Sequence, residues 1–310
     1  MACVEAVLNQ ELLEQIYTII PRGNVLRNEN MSRHTTFRTG GPADCFIRIN
    51  TSKELSELIL LLKKEKEDFF ITGNGSNLLV SDEGYPGVVI SMQDFDRLEV
   101  DGNRIYAGAG VLTSKIAKVA MANSLSGMEA LAGIPGSIGG CICMNAGAYG
   151  SEMKDITESA DILFEDGHIE RFSTDELDLR YRGSRIKDEN LIVVGVTLSL
   201  FTGEKDAIES AMNDYANKRK EKQPLEFPSA GSTFKRPEGF FAGKLIQDAG
   251  LSGFMIGGAQ VSTKHCGFIV NKNGASSKDI YDVIRHVQKK VFEDSGVKLD
   301  TEVILLGEFE

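Results

Sequence analysis

The sequence predicts an α+β fold divided into more than one domain. A chain of 310 residues is long enough for about two domains, since ~100–200 residues per domain is usual. Up to Leu200, short apolar strand patterns alternate with short amphipathic helix patterns. The apolar fraction of 42% and the charged fraction of 25% are ordinary for a globular protein, which excludes a disordered or collagen-like chain.

The elements of the first part follow from apolar spacing and from capping signals. Residues 4–20 are predicted to form an acidic amphipathic helix that ends at Pro21. Thr51-Ser52-Lys53-Glu54 is a capping box, so a second helix is expected after it. A third helix is predicted at 113–124, and strands are predicted at 69–72, 78–80, 88–91, 105–107, 162–164, 169–172 and 191–200.

The last third of the chain contains two clear helix patterns and a final strand. A helix is predicted at 205–220, and a long one from Ser277 to Ser295 with Gly296 at its end. In the predicted strand 301–306, alternation places Glu302 on one face with Ile304 and Leu306. A carboxylate on an apolar face is expected to favour its protonated form, which makes Glu302 a candidate acid. The alternative is an exposed glutamate at the end of a strand.

Charge, apolar length and cysteine usage exclude several classes of protein. The net charge of −11 predicts no binding to nucleic acid or to an anionic membrane surface. No apolar stretch approaches the ~20 residues of a membrane span, and the N-terminus lacks the basic flank of a signal peptide. The five cysteines form no Cys-x-x-Cys pair, so we expect reduced thiols in a cytoplasmic protein. Cys141-x-Cys143 is expected to be buried packing and not a disulfide.

Two glycine-rich segments are candidate ligand sites. Gly73-Asn74-Gly75-Ser76-Asn77 follows a predicted strand, and successive N–H groups in such a turn can bind a diphosphate without lysine. Residues 127–150 contain seven glycines and one charged residue, and Gly133–Gly140 can approach a flat ring system closely. The alternatives are a plain glycine turn and a tight packing corner.

Two polar segments are candidates for the chemistry itself. In Tyr181-Arg182-Gly183-Ser184, the arginine is a candidate fixed cation facing a pocket; the alternative is a surface arginine. In Ser229–Pro237, small residues can present the Ser232 hydroxyl beside two basic side chains; the alternative is a proline-bounded connector. P-loop, G-x-G-x-x-G and G-x-S-x-G motifs are absent, and the four histidines lack the spacing of metal ligands.

Six segments, in this order along the chain, closely resemble the UDP-N-acetylenolpyruvoylglucosamine reductase family. They are His34–Ala43, Gly73–Leu79, Gly133–Gly150, Tyr181–Ser184, Pro228–Pro237 and Glu302-Val303. The resemblance implies a flavoprotein of peptidoglycan synthesis with an FAD-binding fold of the vanillyl-alcohol oxidase type (also called PCMH type), built from two α+β subdomains, plus a C-terminal α+β substrate domain. The implied divisions are an N-terminal helix at 1–20, an FAD domain at 21–202 with subdomains of about 21–92 and 93–202, a substrate domain at 203–299, and a strand at 300–310 that returns to the flavin.

The resemblance also implies the reaction and its residues. NADPH reduces FAD, and the flavin then passes a hydride to UDP-N-acetylglucosamine enolpyruvate, giving UDP-N-acetylmuramate. Ser232 matches the proton donor, and Arg182 and Glu302 match the residues that stabilise the enolate. The matching cofactor-binding residues are Gly73, Asn74, Gly75, Ser76, Asn77, Gly133, Ile134, Pro135, Gly136, Ser137, Gly139, Gly140, Asn145 and Ala146.

Two departures from the family pattern affect the substrate site. Cys266 and Gly267 stand where the family usually has Ala and Asn. The spacing from Arg182 to Ser232 leaves no room for an inserted tyrosine loop, which indicates the shorter subtype with a more open pocket. The candidate substrate-binding residues are therefore Tyr181, Arg219, Lys235, Arg236 and Lys244, with the last four as candidates for the substrate phosphates.

The resemblance also bears on the partners of the protein and leaves two alternative functions. We expect a small sugar-nucleotide substrate, no metal, and a monomer or weak oligomer. One alternative is an oxidase of the same fold with covalent flavin, which would need His34 or Tyr149 as the attachment point. Another is a non-catalytic sugar-nucleotide sensor, against which the presence of Arg182, Ser232 and Glu302 argues.

Overall fold

The computed structural model describes residues 9–309, which form two compact units from interleaved stretches of chain. The first unit contains the residues up to 27 together with 45–74 and 87–217. The second contains 28–44, 75–86 and the residues from 218 onward. Residues 4–8 of the predicted first helix lie outside the described part of the chain.

The helices and strands alternate along the chain, as the sequence predicts. The helices are α1 (Gln10–Ile19), α2 (Ser52–Glu65), α3 (Thr113–Ala122), α4 (Ile138–Cys143), α5 (Thr174–Leu177), α6 (Arg185–Asp188), α7 (Lys205–Lys222), α8 (Ala242–Asp248) and α9 (Ser277–Ser295). The strands are β1 (Val25–Asn30), β2 (Pro42–Arg48), β3 (Phe69–Thr72), β4 (Leu78–Val80), β5 (Tyr85–Ser91), β6 (Leu98–Asp101), β7 (Arg104–Gly108), β8 (Leu125–Ser126), β9 (Gly147–Ala148), β10 (Ser151–Glu152), β11 (Thr157–Leu163), β12 (Ile169–Ser173), β13 (Ile192–Ser199), β14 (Phe201–Thr202), β15 (Met255–Ile256), β16 (Ala259–Val261), β17 (Ile269–Asn271) and β18 (Ile304–Leu306).

Two sheets provide most of the β-structure. One has the order β1-β2-β5-β3, with β3 parallel to β5, and the other is an antiparallel sheet of order β12-β11-β13-β7-β6. In the second unit, β15, β16 and β17 form an antiparallel sheet and β18 pairs with β4 in parallel. This mixture of short helices and mainly antiparallel strands confirms the predicted α+β class. No helix within residues 9–309 is long and apolar enough to cross a membrane.

In the first unit, the buried residues of α2 confirm the predicted amphipathic helix. Leu55, Leu58, Ile59 and Leu62 are all buried at helical spacing. The predicted capping box is present, because Thr51 accepts from the N–H of the third helical residue and that residue's carboxylate accepts in return. The N-terminus of the helix is therefore satisfied by local residues, and its apolar face fixes it to the core.

In the second unit, α9 follows its prediction at both ends. The helix spans Ser277–Ser295, and Gly296 has a φ of 71°, the left-handed conformation that ends a helix. Ser276 and Asp279 form a capping box at the start. Asp82, in the loop after β4, also accepts from the N–H groups of Ser277 and Lys278, both at 2.8 Å. Thus α9 is fixed to the segment that follows the first glycine loop.

The predicted strand 301–306 is wrong in its first half. β18 begins at Ile304, whose side chain is 38% exposed, whereas Val303 and Leu306 are buried. Glu302 therefore does not share an apolar face with Ile304 and Leu306. The cause is a different pairing, since the N–H of Glu302 donates to the carbonyl oxygen of Thr233 at 2.8 Å before the β18 ladder starts.

Candidate active site

The first glycine loop, Gly73–Asn77, joins β3 to β4 and contains a position that requires glycine. Gly75 has a φ of 59°, and a Cβ there would lie 1.9 Å from the carbonyl oxygen of His34. The carbonyl oxygen of Gly75 in turn accepts from the N–H of Thr36 at 3.2 Å. The loop therefore lies directly on the backbone of residues 34–36, so two segments that are distant in sequence are in contact.

The N–H groups of this loop are available to a ligand. Within residues 9–309, none of the five backbone N–H groups from Gly73 to Asn77 donates to a protein acceptor. Ser76 is half-buried and adds a hydroxyl. Successive N–H groups in a turn can surround an anion. The loop thus fits the diphosphate of a dinucleotide, in a protein whose net charge of −11 provides little general attraction for anions.

Replacing Gly75 with Ala is expected to raise the dissociation constant for FAD by at least about 10-fold. The added methyl group meets a backbone oxygen, and a left-handed conformation costs a non-glycine residue roughly 1–2 kcal/mol. Fluorescence titration of the flavin-free protein measures this. Gly102→Ala is the matched control, because its φ is 57° and its Cβ position is open. Equal flavin affinity in both variants would contradict the role given to the loop.

The second glycine loop, 133–140, is packed against residues 109–113, which no motif predicts to belong to the site. Thr113 donates through its hydroxyl to the carbonyl oxygens of Ile134 and Gly136, at 3.0 and 2.7 Å. The N–H of Gly139 donates to the carbonyl oxygen of Ala109 at 3.0 Å. In the sequence, this segment contains Gly108-Ala109-Gly110, which lacks the third glycine of a dinucleotide motif. In the structure it supports the neighbouring loop.

The same loop also contacts the start of the first glycine loop, within the first unit. The amide of Asn74 donates to the carbonyl oxygen of Pro135, and a Cβ on Gly73 would lie 2.1 Å from the Ser137 hydroxyl. Gly133 and Gly140 remain exposed, and the position of a Cβ on Gly140 is almost empty. Two glycine-containing stretches of backbone therefore meet, and Gly133 and Gly140 expose backbone on either side of Ile134 and Pro135, which suits the close approach of a flat ring system.

Asn145 and Ala146 hold the turn that follows α4. Asn145 is fully buried with a φ of 40°, and its amide donates to the Glu152 carboxylate at 3.0 Å. Its side-chain oxygen accepts from the N–H of Lys154. The N–H of Ala146 donates to the carbonyl oxygen of Cys141. The polar atoms of the Asn145 side chain thus bind protein groups, and direct contact of this pair with a cofactor stays a prediction.

Arg182 lies in the first unit in a strained turn. Its φ is 53°, and the carbonyl and N–H groups of Arg180 and Gly183 pair across it at 3.0 Å. Its guanidinium carbon lies 5.1 Å from the centroid of the Tyr181 ring. The pKa of Glu152 is lowered chiefly by a hydrogen bond from Lys154, and the positive charge of Arg182 contributes to the same shift. Arg182 is therefore held by its backbone close to the turn that follows α4.

Ser232 and Glu302 belong to the second unit, where the structure brings their backbones together. Gly231 has a φ of 74° and turns the chain before half-buried Ser232. The next residue, Thr233, is fully buried and accepts from the N–H of Glu302 at 2.8 Å. The amide of Asn77 donates to the carbonyl oxygen of Glu302 at 2.9 Å. The Ser232 segment, Glu302 and the first glycine loop are thus connected by hydrogen bonds.

Comparisons with known proteins show the family of the chain. Residues 223–306 match the family described as "UDP-N-acetylenolpyruvoylglucosamine reductase, C-terminal domain", and residues 43–173 match the one described as "FAD binding domain". The UDP-N-acetylenolpyruvoylglucosamine reductase of Clostridium botulinum (strain Eklund 17B / Type B) is 51% identical over 281 residues, which are 91% of this chain and 92% of that protein. The chain belongs to the UDP-N-acetylenolpyruvoylglucosamine reductase family.

Solved structures support the fold of this family. The crystal structure of the reductase from Thermus caldophilus superposes with a TM-score of 0.79 at 35% identity, over 91% of this chain and 99% of that one. Phl p 4.0202, a glucose dehydrogenase, shares the fold at a TM-score of 0.51 and 11% identity, over 63% of this chain and 45% of that one. The predicted FAD-binding fold of the vanillyl-alcohol oxidase type, with a further C-terminal α+β domain, is therefore confirmed.

At Cys266-Gly267, where the chain departs from the family pattern, Gly267 contacts the side chain of His265 and the backbone of Thr233. A Cβ on Gly267 would lie 2.9 Å from the ring of His265, whose Nδ1 accepts from the N–H of Gly267 at 3.1 Å. Burial lowers the pKa of His265, so this ring is neutral at pH 7. The carbonyl oxygen of Gly267 accepts from the N–H of Thr233 at 2.8 Å. The glycine thus supports the loop that carries Ser232.

The four basic residues predicted to bind substrate phosphates all lie in the second unit. Arg219 is half-buried and donates to the Gln223 side chain at 3.2 Å, and the guanidinium carbon of Arg236 lies 4.0 Å from the Phe241 ring centroid. Lys235 is half-buried, whereas Lys244 is exposed and pairs with Asp248. Their roles toward substrate stay predictions, as does that of exposed Tyr181 in the first unit. Among residues 9–309, no group of three His, Cys, Asp or Glu side chains is placed to hold a metal ion.

The cysteines of the described chain are all free thiols, as predicted. They are Cys45, Cys141, Cys143 and Cys266; Cys3 lies outside the described residues. Burial raises the pKa of the Cys141 thiol from its ordinary value of 9.0 to about 11, and Thr113 at 3.8 Å only partly offsets this. Cys141 is therefore buried packing in α4, whereas Cys143 at the end of the same helix is half-buried, and redox chemistry is not assigned to the pair.

This burial predicts a stability that falls as the pH rises from about 9 to about 11. In that interval the unfolded thiol of Cys141 ionises whereas the folded one keeps its proton, so unfolding releases a proton and becomes more favourable. The loss is on the order of 2 kcal/mol. Urea unfolding at several pH values is expected to show a shallower decline in Cys141→Ala than in the unmodified protein. An identical decline in both proteins would show that this thiol is not desolvated as the structure indicates.

Proposed function

We propose that this protein reduces UDP-N-acetylglucosamine enolpyruvate to UDP-N-acetylmuramate with NADPH and FAD, a reaction of peptidoglycan synthesis in the cytoplasm. One observation supports it most. In the second unit, Asn77 of the first glycine loop, Glu302 and Thr233 beside Ser232 are joined by hydrogen bonds of 2.9 and 2.8 Å. The loop suited to a diphosphate and two candidate catalytic residues thus have fixed relative positions. The names of the relatives supply the substrate class and the direction of the reaction.

The glycine loops account for the cofactor. Bound FAD supplies the hydride, which it takes from NADPH. The unused N–H groups of Gly73–Asn77 and the Ser76 hydroxyl hold the diphosphate through hydrogen bonds. The exposed backbone at Gly133 and Gly140 would contact the ring system of bound FAD, since glycine allows close approach of the backbone. Nicotinamide and the sugar nucleotide are proposed to bind in turn and not together.

The three catalytic candidates account for the second half of the reaction. Addition of hydride to the enolpyruvyl group leaves negative charge on the carbon next to the carboxylate and on the carboxylate itself. Arg182 and Glu302 stabilise this charge, the one as a fixed cation and the other as a hydrogen-bond donor or water-mediated acid. Ser232 donates the proton to that carbon. A serine hydroxyl is a poor acid in water, so this step requires a strongly basic acceptor and a site closed to solvent.

The phosphates of the substrate need local positive charge in such an acidic protein. Half-buried Arg219 and Lys235 are the first candidates, with Arg236 and Lys244 as more exposed ones. Arg219→Ala is the first variant to examine for this contribution, through the Michaelis constant for the sugar nucleotide. An unchanged constant would remove Arg219 from the group of phosphate ligands.

Product analysis tests the proposed function. The FAD-loaded protein is incubated with NADPH and UDP-N-acetylglucosamine enolpyruvate, and the sugar nucleotide is examined by mass spectrometry. We expect NADPH to be consumed one for one with substrate, and the product to be heavier by one hydride and one proton. NADPH consumption that does not depend on the enolpyruvyl compound, or an unchanged sugar nucleotide, would refute the proposal. Flavin that stays with the acid-precipitated protein would favour a covalent oxidase instead.

A further inference from the structure

The side chain of Asn77, in the first glycine loop, binds the backbone of a candidate catalytic residue. A cofactor loop of this kind is expected to use its polar side chains on the ligand. Instead, the amide of Asn77 donates to the carbonyl oxygen of Glu302 at 2.9 Å, across 225 positions of sequence. The Asn77 backbone N–H has no protein acceptor within residues 9–309 and remains available to a diphosphate. Asn77 thus offers its backbone N–H to a diphosphate and binds the carbonyl oxygen of Glu302 through its side chain.

The backbone of Glu302 is fixed from both sides by these contacts. Its N–H donates to the carbonyl oxygen of Thr233 at 2.8 Å, next to Ser232, and its carbonyl oxygen accepts from Asn77. Both bonds are made before β18 begins at Ile304, so the strand ladder does not hold this residue. Without the Asn77 amide, the carbonyl oxygen of Glu302 would lose this side-chain donor.

The Asn77 side chain is not needed for the pairing of the strands. The N–H of Ile304 donates to the backbone carbonyl oxygen of Asn77 at 2.9 Å, a bond that any residue at 77 can accept. The parallel register of Ile304–Leu306 with Leu78–Val80 involves backbone groups alone. A substitution of the Asn77 side chain is therefore expected to disturb the position of Glu302 and to leave the pairing of β4 with β18 intact.

We propose that Asn77 is a positioning residue for Glu302, which connects the diphosphate loop to the group that stabilises the enolate. The inference rests on the proposed function for the role of Glu302, but the contact itself does not. Asn77 holds the Glu302 peptide at a fixed distance from the Ser232 loop. The second half-reaction depends on this arrangement, whereas the reduction of the flavin by NADPH does not use Glu302.

Asn77→Asp tests the proposal with a change of nearly equal size. It replaces the amide donor by a carboxylate oxygen, which repels the Glu302 carbonyl oxygen. Under anaerobic conditions, stopped-flow absorbance follows flavin reduction by NADPH and then flavin reoxidation by the enolpyruvyl sugar nucleotide. Since misplacement of a reacting group by about 1 Å can cost 10²-fold, we expect reoxidation to be about 10- to 100-fold slower per bound flavin. Reduction by NADPH is expected to change far less.

Two further variants make the result specific. Asn103→Asp is the matched control, because the Asn103 amide also donates to a backbone carbonyl oxygen, that of Leu200 at 3.0 Å, in the first unit. Asn77→Gln keeps the amide donor on a longer side chain, so we expect it to recover part of the lost rate. Rates are expressed per bound flavin, so a variant with lower flavin content remains informative.

Residue-resolved hydrogen exchange gives a readout that does not depend on activity. In Asn77→Asp, the amide of Glu302 is expected to exchange faster, while the amides of Ile304 and Ser81, which bond across the pairing of β4 and β18, keep their protection. If both half-reactions and the Glu302 amide behave as in Asn103→Asp, the positioning role is wrong. If the unmodified holoenzyme is not reoxidised by the enolpyruvyl compound, the proposed function fails instead, and the exchange measurement still decides whether Asn77 holds Glu302.

Discussion

Replacing Ser232 with Ala is expected to slow flavin reoxidation by the enolpyruvyl sugar nucleotide by about 10³-fold, or roughly 4 kcal/mol in the barrier. The methyl group cannot donate a proton to the carbon next to the carboxylate. The change is small and leaves the backbone anchors of the loop in place, since Thr233 is held by the carbonyl oxygen of Gly267 and by the N–H of Glu302. Stopped-flow absorbance of the NADPH-reduced protein measures the effect.

The Ser232 result is interpretable because the same loop offers a control. Ser229 is also half-buried and lies in the same proline-bounded segment, so Ser229→Ala introduces the same change close by. We expect that variant to keep the rate of both half-reactions. Ser232→Cys, which restores an acidic proton, is expected to recover part of the activity. A Ser232→Ala protein that is reoxidised as fast as Ser229→Ala would remove Ser232 as the proton donor.

Replacing Glu302 with Gln is expected to slow the same half-reaction by about 10²-fold. Gln keeps the size of the side chain but cannot supply an acidic proton to the developing charge. The backbone hydrogen bonds of this residue, to Thr233 and from Asn77, persist in the variant. The free energy of unfolding is measured on the same variant, so that a loss of stability is separated from a loss of the chemical step.

Glu308→Gln is the matched control for this second prediction. Glu308 is exposed and follows β18, so the same exchange there alters the charge by the same amount without touching the candidate site. The measurement is again the rate of flavin reoxidation, with the rate of reduction by NADPH recorded in the same instrument. Equal rates in the two variants would show that the carboxyl group of Glu302 takes no part in enolate stabilisation.

The parts of the fold that depend on neighbouring residues were predictable from the sequence. α9 has the bounds Ser277–Ser295, because its apolar spacing and Gly296 act within a few turns. The capping box at Thr51 is present, since a few neighbouring residues of sequence define it. The free cysteines of the described chain also agree with the spacing argument.

The parts that depend on distant contacts were not predictable. Alternation over 301–306 assumes a strand throughout, whereas Glu302 pairs with Thr233 and the strand starts two residues later. The support given by Thr113 to the second glycine loop has no motif of its own. The side chains of Asn74 and Asn77 were assigned to the cofactor by their loop, but each donates to a distant backbone carbonyl oxygen.

The division into two compact units also depends on distant contacts and was not predictable. The chain passes between the units at residues 27, 44, 74, 86 and 217, and several of these points lie inside regular elements such as β2 and α7. No change of composition marks them in the sequence. The family motifs therefore appear scattered along the chain, although the structure collects Gly75, the Ser232 segment and Glu302 in one unit.

Anaerobic absorbance of the FAD-loaded protein follows both proposed half-reactions in one experiment. The flavin bands are recorded as NADPH is added, and again as UDP-N-acetylglucosamine enolpyruvate follows without oxygen. We expect NADPH to bleach the bands and the enolpyruvyl compound to restore them in full. Bands that NADPH fails to bleach, or that recover only when air is admitted, would contradict the proposed function.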